Sequence, residues 1–224
     1  MNSDDIAQYL VSHPEFFEQY ADLLSQIYVP HQHGGRAVSL AERQMQTLRE
    51  KNKQLDSKLA EMIAFGEEND VISDKLHRLA VAMVAAETLQ SVISLFNFHL
   101  REDFSVPLVS LRLWECPPDE DPELPEFFPV GAELQTYTEN LVYPYCGSTS
   151  GFPTEAWFGE RAAHIRSQAL VPLRNAGGTF GMVALGSEDV RRFFPDMDTI
   201  YLQRLGEIVS AALGRVTRVP VLGE

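Results

Sequence analysis

Cysteine is scarce in this chain of 224 residues, which has only Cys116 and Cys146. Two thiols are too few for a disulfide scaffold and fit a protein of the reducing cytoplasm. Long apolar runs are also missing, since none approaches the roughly 18 residues of a membrane span. The start, MNSDDIAQYLVSHPEFF, is acidic and lacks the basic region and apolar centre of a secretory signal. The sequence therefore predicts a cytoplasmic protein with no membrane partner.

Basic side chains are outnumbered, because 18 lysines and arginines accompany 32 aspartates and glutamates, for a formal net charge of -14. All four lysines lie between residues 51 and 75, and residues 87–224 hold 10 arginines against 19 acidic side chains. Nucleic-acid binding needs basic patches that neutralise phosphates. No nucleic-acid partner is therefore expected, and the basic residues between 43 and 58 are interpreted as the solvated face of a helix.

Residues 1–38 are predicted to form a short helical unit and a hinge. Two short helices are expected first, separated at His13-Pro14, because proline suits the start of a helix and restricts the residue before it. The stretch VPHQHGGRAV then contains a proline and two glycines, which are poor helix residues. His31 and His33 lack the third and fourth ligands of a closed zinc shell. No metal site is expected, and the sequence identifies no cofactor.

A long helix is predicted over residues 39–86, where proline is absent and Gly66 is the only glycine. Ser39 and Glu42 have the spacing of a capping box, in which each side chain bonds the backbone N–H of the other residue. The core positions of a coiled-coil seam then recur at alternating spacings of three and four. These positions are Met45, Leu48, Asn52, Leu55, Leu59 and Met62. Beyond Gly66 the pattern steps by one and continues with Ile72, Leu76, Leu79 and Met83.

Asn52 makes the seam informative, because a core asparagine in a parallel dimer pairs with its symmetry mate and fixes the register. Lys51 and Asp56 occupy flanking positions where they form a compatible pair between two chains. The sequence thus predicts a parallel homodimer. An amphipathic helix that packs on its own domain remains the alternative, because the seam covers only about three heptads.

Residues 87–224 are predicted to form one domain of helices and strands. The pattern LQSVISLFNFHLREDF predicts a helix, VPLVSLRLWE a strand, and QALVPLRNAGGTFGMVALGS two strands joined by a glycine turn. A long excursion lies between the first strand and this hairpin and includes a short predicted helix at residues 133–143. The helix DMDTIYLQRLGEIVSAALGRV ends the domain. Its predicted inward face consists of Ile200, Leu205, Ile208, Val209, Ala212 and Leu213.

This order of elements resembles a GAF domain, and the best local match is SQALVPLRNAGGTFGMVALGS followed by FFPDMDTIYLQRLGEIVSAAL. Nearly the whole chain resembles domain-of-unknown-function family 484, a bacterial GAF-like family, through HPEFF, VPHQHGG, VSLAERQ, LRE, ND, PYCG, RSQALVPL and FFPDMDT. The resemblance implies an α+β fold. It implies a GAF-like domain with a central, mainly antiparallel sheet flanked by helices, preceded by a long helical N-terminal segment. It supplies no catalytic residues.

Candidate ligand-binding residues lie mainly in the excursion, which in GAF-like folds covers one sheet face and walls the ligand pocket. Pockets combine apolar walls with a few convergent polar groups. The candidates are Arg112, Tyr143, Cys146, Phe152, Trp157 and Phe158. The aromatic side chains have a simpler alternative role as core residues.

Cys146 is the one candidate nucleophile, because acidic neighbours disfavour a thiolate at Cys116. Cys146 has no charged neighbour in the sequence, and a small buried residue is its simpler interpretation. The stretch GGTFG lacks the lysine and spacing of a P-loop, and no Ser-His-Asp order or paired-carboxylate motif stands out.

The sequence therefore predicts a non-enzymatic GAF-like sensory or regulatory module that dimerises through its N-terminal helix and binds a small effector. The expected partners are a second copy of the chain, a small molecule, and a separate, unidentified protein that receives the signal. Two alternatives remain open: a thiol-dependent enzyme that uses Cys146, and a structural adaptor without a ligand.

Overall fold

The computed structural model describes residues 2–26, 28–29, 38–115, 120–149 and 151–217, and the side chains of residues 24–41 are outside this description. The chain divides into two compact units, Met1–Glu67 and Glu68–Glu224. The predicted ranges 1–38, 39–86 and 87–224 differ from this division and stay predictions about the domains. The interpretations of His31, His33, Cys116 and the Ser39 side chain concern groups outside the described part of the chain.

The first unit consists of short helices, a two-stranded antiparallel sheet and the first part of a long helix. Its elements are α1 Ser3–Ser12, α2 Glu15–Gln19, α3 Ala21–Gln26, β1 Tyr28–Val29, β2 Val38–Ser39 and the start of α4 Leu40–Ala85. Three short helices replace the two predicted, because the chain leaves helical geometry at Tyr20. Among residues 2–23 and 42–67 no side chain is buried, so the described part of this unit has no apolar core.

Helix α4 confirms the long helix predicted over residues 39–86, and it continues without a break at Gly66. Its last turns belong to the second unit, where Leu76, Leu79 and Met83 are 5%, 0% and 1% exposed. Ile72 packs against the same core. The second half of the predicted seam therefore packs on its own domain, as the alternative interpretation of the helix expects.

The second unit is built around a four-stranded antiparallel sheet. Its strands are β3 Leu108–Leu113, β4 Tyr145–Gly147, β5 Ser167–Asn175 and β6 Gly178–Ser187. The strand order is β3-β6-β5-β4, with the predicted hairpin β5–β6 at the centre. Asn175 pairs with Gly178 at the hairpin turn, and Arg112 pairs with Met182 across β3 and β6.

One side of this sheet, named the helix face here, packs on α5 Leu89–Glu102, α7 Ile200–Thr217 and the last turns of α4. Its side chains include Leu111, Leu113, Val171, Val183 and Leu185. The buried residues of α5 are Leu89, Val92, Ile93, Phe96 and Leu100. The prediction for Ile200 was wrong, since this first residue of α7 is 45% exposed.

The opposite side, named the excursion face, includes Leu170, Met182 and Ala184 together with Ser110 and Arg112. It is covered by α6 Ala132–Asn140 and by a 3₁₀ segment at Pro153–His164. A further 3₁₀ segment, Pro125–Phe127, contacts β3, and its Phe127 packs against the core of the helix face. The architecture is α+β, with a long helix followed by an antiparallel sheet flanked by helices, and it is consistent with a GAF-like fold. None of the described helices is long and apolar enough to cross a membrane.

Candidate functional site

Strand β3 places Arg112 on the excursion face, because neighbouring residues of a strand point to opposite faces. Leu111 and Leu113 enter the core of the helix face, so Arg112 points the other way. Its side chain is only 8% exposed. The strand alternation that singled out Arg112 in the sequence therefore corresponds to a buried arginine under the excursion.

The guanidinium of Arg112 is held by two oxygens and two aromatic rings. Nη1 donates to Ser110 Oγ at 3.1 Å and to the Leu111 carbonyl at 2.8 Å. The ring centroids of Trp157 and Phe128 lie 5.0 Å and 5.9 Å from Cζ, within cation–π range. No ion pair within 4.0 Å joins the guanidinium to a carboxylate of the described residues.

Burial lowers the pKa of Arg112, while the charge of Glu126 opposes this shift. An arginine nevertheless stays protonated in proteins, so the excursion face contains a positive charge removed from water. Buried charges are ordinarily paired with an opposite charge. Among the described residues, the rings and neutral oxygens around Arg112 supply partial compensation, and the charge of Glu126 acts on it from beyond 4.0 Å.

A buried hydrogen-bond donor on the same face, the indole N–H of Trp114, lacks an acceptor among the described residues. Trp114 follows Arg112 by two residues on the same side of the chain, and its ring packs against the core of the excursion face. Its Nε1 is buried and has no acceptor among the described residues. Indole N–H groups usually find a partner when they are buried. The excursion face therefore holds the Arg112 guanidinium and, beside it, one buried donor without an acceptor among the described residues.

Aromatic rings wall the rest of the excursion face. The ring of Phe152 lies 5.5 Å from that of Tyr137 and 4.9 Å from that of Tyr145. Burial raises the pKa of both tyrosines, so their hydroxyl groups remain protonated donors at neutral pH. Phe158 is buried in the same cluster, and Trp157 packs against it.

The candidate residues divide into two groups. Arg112, Phe152, Trp157 and Phe158 lie on the excursion face. Tyr143 is 65% exposed and Cys146 belongs to the core of the helix face, so the structure does not bring these two together with Arg112. Burial raises the pKa of the Cys146 thiol to about 11. A thiol in that range is almost entirely protonated at neutral pH.

Sequence reasoning missed a buried polar pair beside this cluster. Thr154 Oγ1 donates to Gln168 Oε1 at 2.8 Å, and both side chains are fully buried. Gln168 Nε2 also donates to the Ser148 carbonyl at 3.5 Å. The signal in the sequence is a glutamine inside the apolar strand SQALVPL. The pair fastens the 3₁₀ segment of the excursion to β5.

The described residues contain no group of three or more histidine, cysteine, aspartate or glutamate side chains arranged to hold a metal ion. The sequence profile of a family described as "Protein of unknown function, DUF484" matches residues 1–218. The chain belongs to this family. A comparison with curated proteins found no match. The residues that match the family lie in both compact units, and the description of the family assigns no activity.

The DUF484 match also includes the predicted dimerisation residues, which lie on α4 within the first unit. The apolar members are 53–69% exposed, namely Met45, Leu48, Leu55, Leu59 and Met62. Asn52, between them, is exposed as well. These six positions, named the α4 stripe here, form an exposed line of five apolar side chains and one asparagine along α4.

Proposed function

We propose that this DUF484 chain is a non-enzymatic, GAF-like regulatory module that binds a small effector on the excursion face and dimerises through the α4 stripe. The observation that carries the proposal is Arg112, a buried cation with no carboxylate partner in the described part of the chain. Two neutral oxygens and two rings contact it. A bound anion would supply a counter-charge in direct contact with the guanidinium.

The chemistry of this face favours one class of effector. Arg112 and Trp114 are both donors without acceptor capacity. A ligand that meets them therefore carries acceptor oxygens, as a carboxylate or a carbonyl does. The aromatic rings of Trp157 and Phe152 favour a flat or apolar body next to those oxygens. We therefore assign the site to a small, planar or apolar molecule with an anionic or carbonyl group.

Cys146 weighs against the enzyme alternative. A catalytic cysteine needs a positive neighbourhood that lowers its pKa and some access to substrate. Cys146 is 6% exposed, its pKa is raised by burial, and it lies on the face opposite Arg112. A packing role in the core of the helix face explains all three observations.

Exposure of the α4 stripe supports self-association. Long apolar side chains in a continuous line on one helix mark an interaction surface, and no described side chain of the first unit is buried. The three-four spacing of the stripe fits a second copy of the same helix. Asn52 then pairs with its counterpart, which selects a parallel dimer.

Helix α4 supplies both the stripe and Leu76, Leu79 and Met83 of the domain core. In the proposed mechanism, effector binding changes how the domain core packs against the last turns of α4. A partner protein in the cytoplasm then binds the altered dimer with a different affinity. The effector acts only if it binds the two arrangements with different affinities.

Native mass spectrometry of the full chain, purified without denaturation, tests the proposal. The expected spectrum shows a dimer mass plus one small-molecule mass per chain. Arg112→Met should lose the bound mass while keeping the dimer, because methionine preserves packing and removes the charge. Arg191→Met, at an exposed arginine, is the matched control and should retain it.

Each part of the proposal fails on its own result. A monomer at micromolar concentration contradicts dimerisation. A wild-type dimer without any bound mass supports the structural-adaptor alternative. A bound mass that survives Arg112→Met locates the effector away from the excursion face.

A further inference from the structure

A separate cavity of about 420 Å³ lies on the other side of the sheet, between α4, α7 and the turn that follows α5. This volume falls within the roughly 300–1,000 Å³ of small-molecule pockets. The walls are mainly apolar, and the innermost residues belong to the core of the helix face. They include Leu76, Leu100, Val106, Leu185, Phe193 and Leu205.

Two cations line this cavity, Lys75 from α4 and Arg192 from the segment between β6 and α7. Each of them contacts Phe104: Lys75 Nζ lies 5.8 Å from its ring centroid, and Arg192 donates to its backbone carbonyl. No carboxylate of the described residues lies within 4.0 Å of either cation. In a chain with a net charge of -14, two such cations at one apolar cavity mark a place for an anion.

Asp198 is the one acidic residue that lines the cavity. Its Oδ1 accepts the backbone N–H of Ile200 at 3.0 Å, at the start of α7. The carboxylate is thus used by the helix, where a negative charge is stabilising. The charged lining residues leave a surplus of one positive charge.

We propose that this cavity binds a small apolar monocarboxylate. The hydrocarbon body lies among the core residues, and the carboxylate lies at Lys75 and Arg192. A neutral apolar molecule would fill the apolar walls but make no use of the half-buried Lys75 and the exposed Arg192 that line the cavity. A phosphate or other small dianion would leave the apolar walls unfilled and lose its own hydration there.

This site is independent of the effector site at Arg112, since the two lie on opposite faces of the sheet. Its ligand contacts α4 directly through Ile72, Lys75 and Leu76. Binding therefore joins α4 to α5 and α7 and stabilises the folded domain in proportion to ligand concentration. The bound carboxylate thereby stabilises the packing of the last turns of α4 on the domain.

Octanoate and octanol are suitable probes, because they share a hydrocarbon body and differ in the charge of the head group. Isothermal titration calorimetry on the full chain should show octanoate binding that is at least several-fold tighter than octanol binding. Lys75→Met should weaken octanoate binding by about three- to tenfold, the usual effect of losing one partly exposed charged contact, and leave octanol unchanged. Lys58→Met, at an exposed lysine of α4, is the matched control and should bind octanoate like the wild type.

Cavity filling gives a second test that does not depend on charge. Leu202→Trp replaces a branched aliphatic side chain of the cavity wall with a bulky indole ring. Because the ring fills the cavity, the variant should not bind either probe. Absent octanoate binding, equal affinities for acid and alcohol, or an unchanged affinity in Lys75→Met would each overturn the proposal. Octanoate binding that is lost in Arg112→Met and kept in Lys75→Met would also overturn it and support the excursion-face site instead.

Discussion

Ser105, in the turn that follows α5, has a backbone conformation that serine seldom adopts. Its φ is 53°, and it is the one non-glycine residue with a positive φ in the described chain. The turn closes the helix, because the N–H of Val106 donates to the Leu100 carbonyl at 2.8 Å. Helices often end this way, usually with glycine at the left-handed position. The side chain at Ser105 therefore costs stability that the turn does not require.

Replacement of Ser105 by glycine should raise the free energy of unfolding by about 0.5–1 kcal/mol. Relief of left-handed strain contributes about 1–2 kcal/mol, and the greater freedom of glycine in the unfolded chain removes part of that gain. Urea denaturation measures the change. Ser105→Ala keeps the Cβ and should not raise the free energy of unfolding. If the glycine variant is no more stable than the alanine variant, the backbone at Ser105 is not strained.

The sequence predicted the position of Arg112 in the fold but not that of Cys146. Arg112 was predicted because strand alternation places it opposite Leu111, and the structure puts it on the excursion face. Cys146 was grouped with it because PYCG lies within the excursion. The strand β4 turns that thiol to the helix face instead, and a three-residue strand leaves too short a pattern to show its direction.

At the scale of elements, α4 uses one seam in two ways. Its later part is buried in the domain, and its earlier part, the α4 stripe, is exposed. A sequence pattern cannot separate these uses, because burial against a domain and burial against a second chain demand the same spacing. The existence of the long helix and of α5 could be predicted, because their apolar periodicity extends over many residues.

Asn52→Ile tests what covers the α4 stripe. In a parallel dimer, the variant should melt at a higher temperature and form oligomers larger than two, because an apolar residue replaces the polar pair that fixes the dimer. Sedimentation equilibrium and a thermal melt give both quantities. Gln54→Ile lies off the stripe and is the control for added apolar surface. Equal behaviour of the two variants would argue that Asn52 does not lie in a dimer seam.

At the scale of the whole molecule, the sequence predicted the order of helix, strand, excursion, hairpin and terminal helix. It did not predict the strand order β3-β6-β5-β4, because pairing between β3 and β6 depends on contacts between distant parts of the chain. Gly206 shows how such contacts are made. A Cβ there would lie 2.8 Å from Val171 Cγ1, so glycine lets α7 pack closely on β5.

Thiol labelling of Cys146 should report the opening of the entire domain core. In a Cys116→Ser background at pH 8, the folded protein should react with Ellman's reagent far more slowly than the chain in concentrated urea. The thiol is buried, and its pKa of about 11 keeps it protonated at that pH. Labelling should increase with urea in parallel with the loss of helical circular dichroism. Fast labelling of the folded protein would instead favour a functional thiol.

The strand order also determines how long each strand waits for its pairing partner during synthesis. The outer strands β3 and β4 leave the ribosome first, and β6, which must pair with β3, follows after roughly 70 residues. At about 5–20 residues per second, β3 waits several seconds with both edges unpaired. The acidic and proline-rich excursion is synthesised during that interval. The sheet is thus closed from its centre by the last strands to arrive.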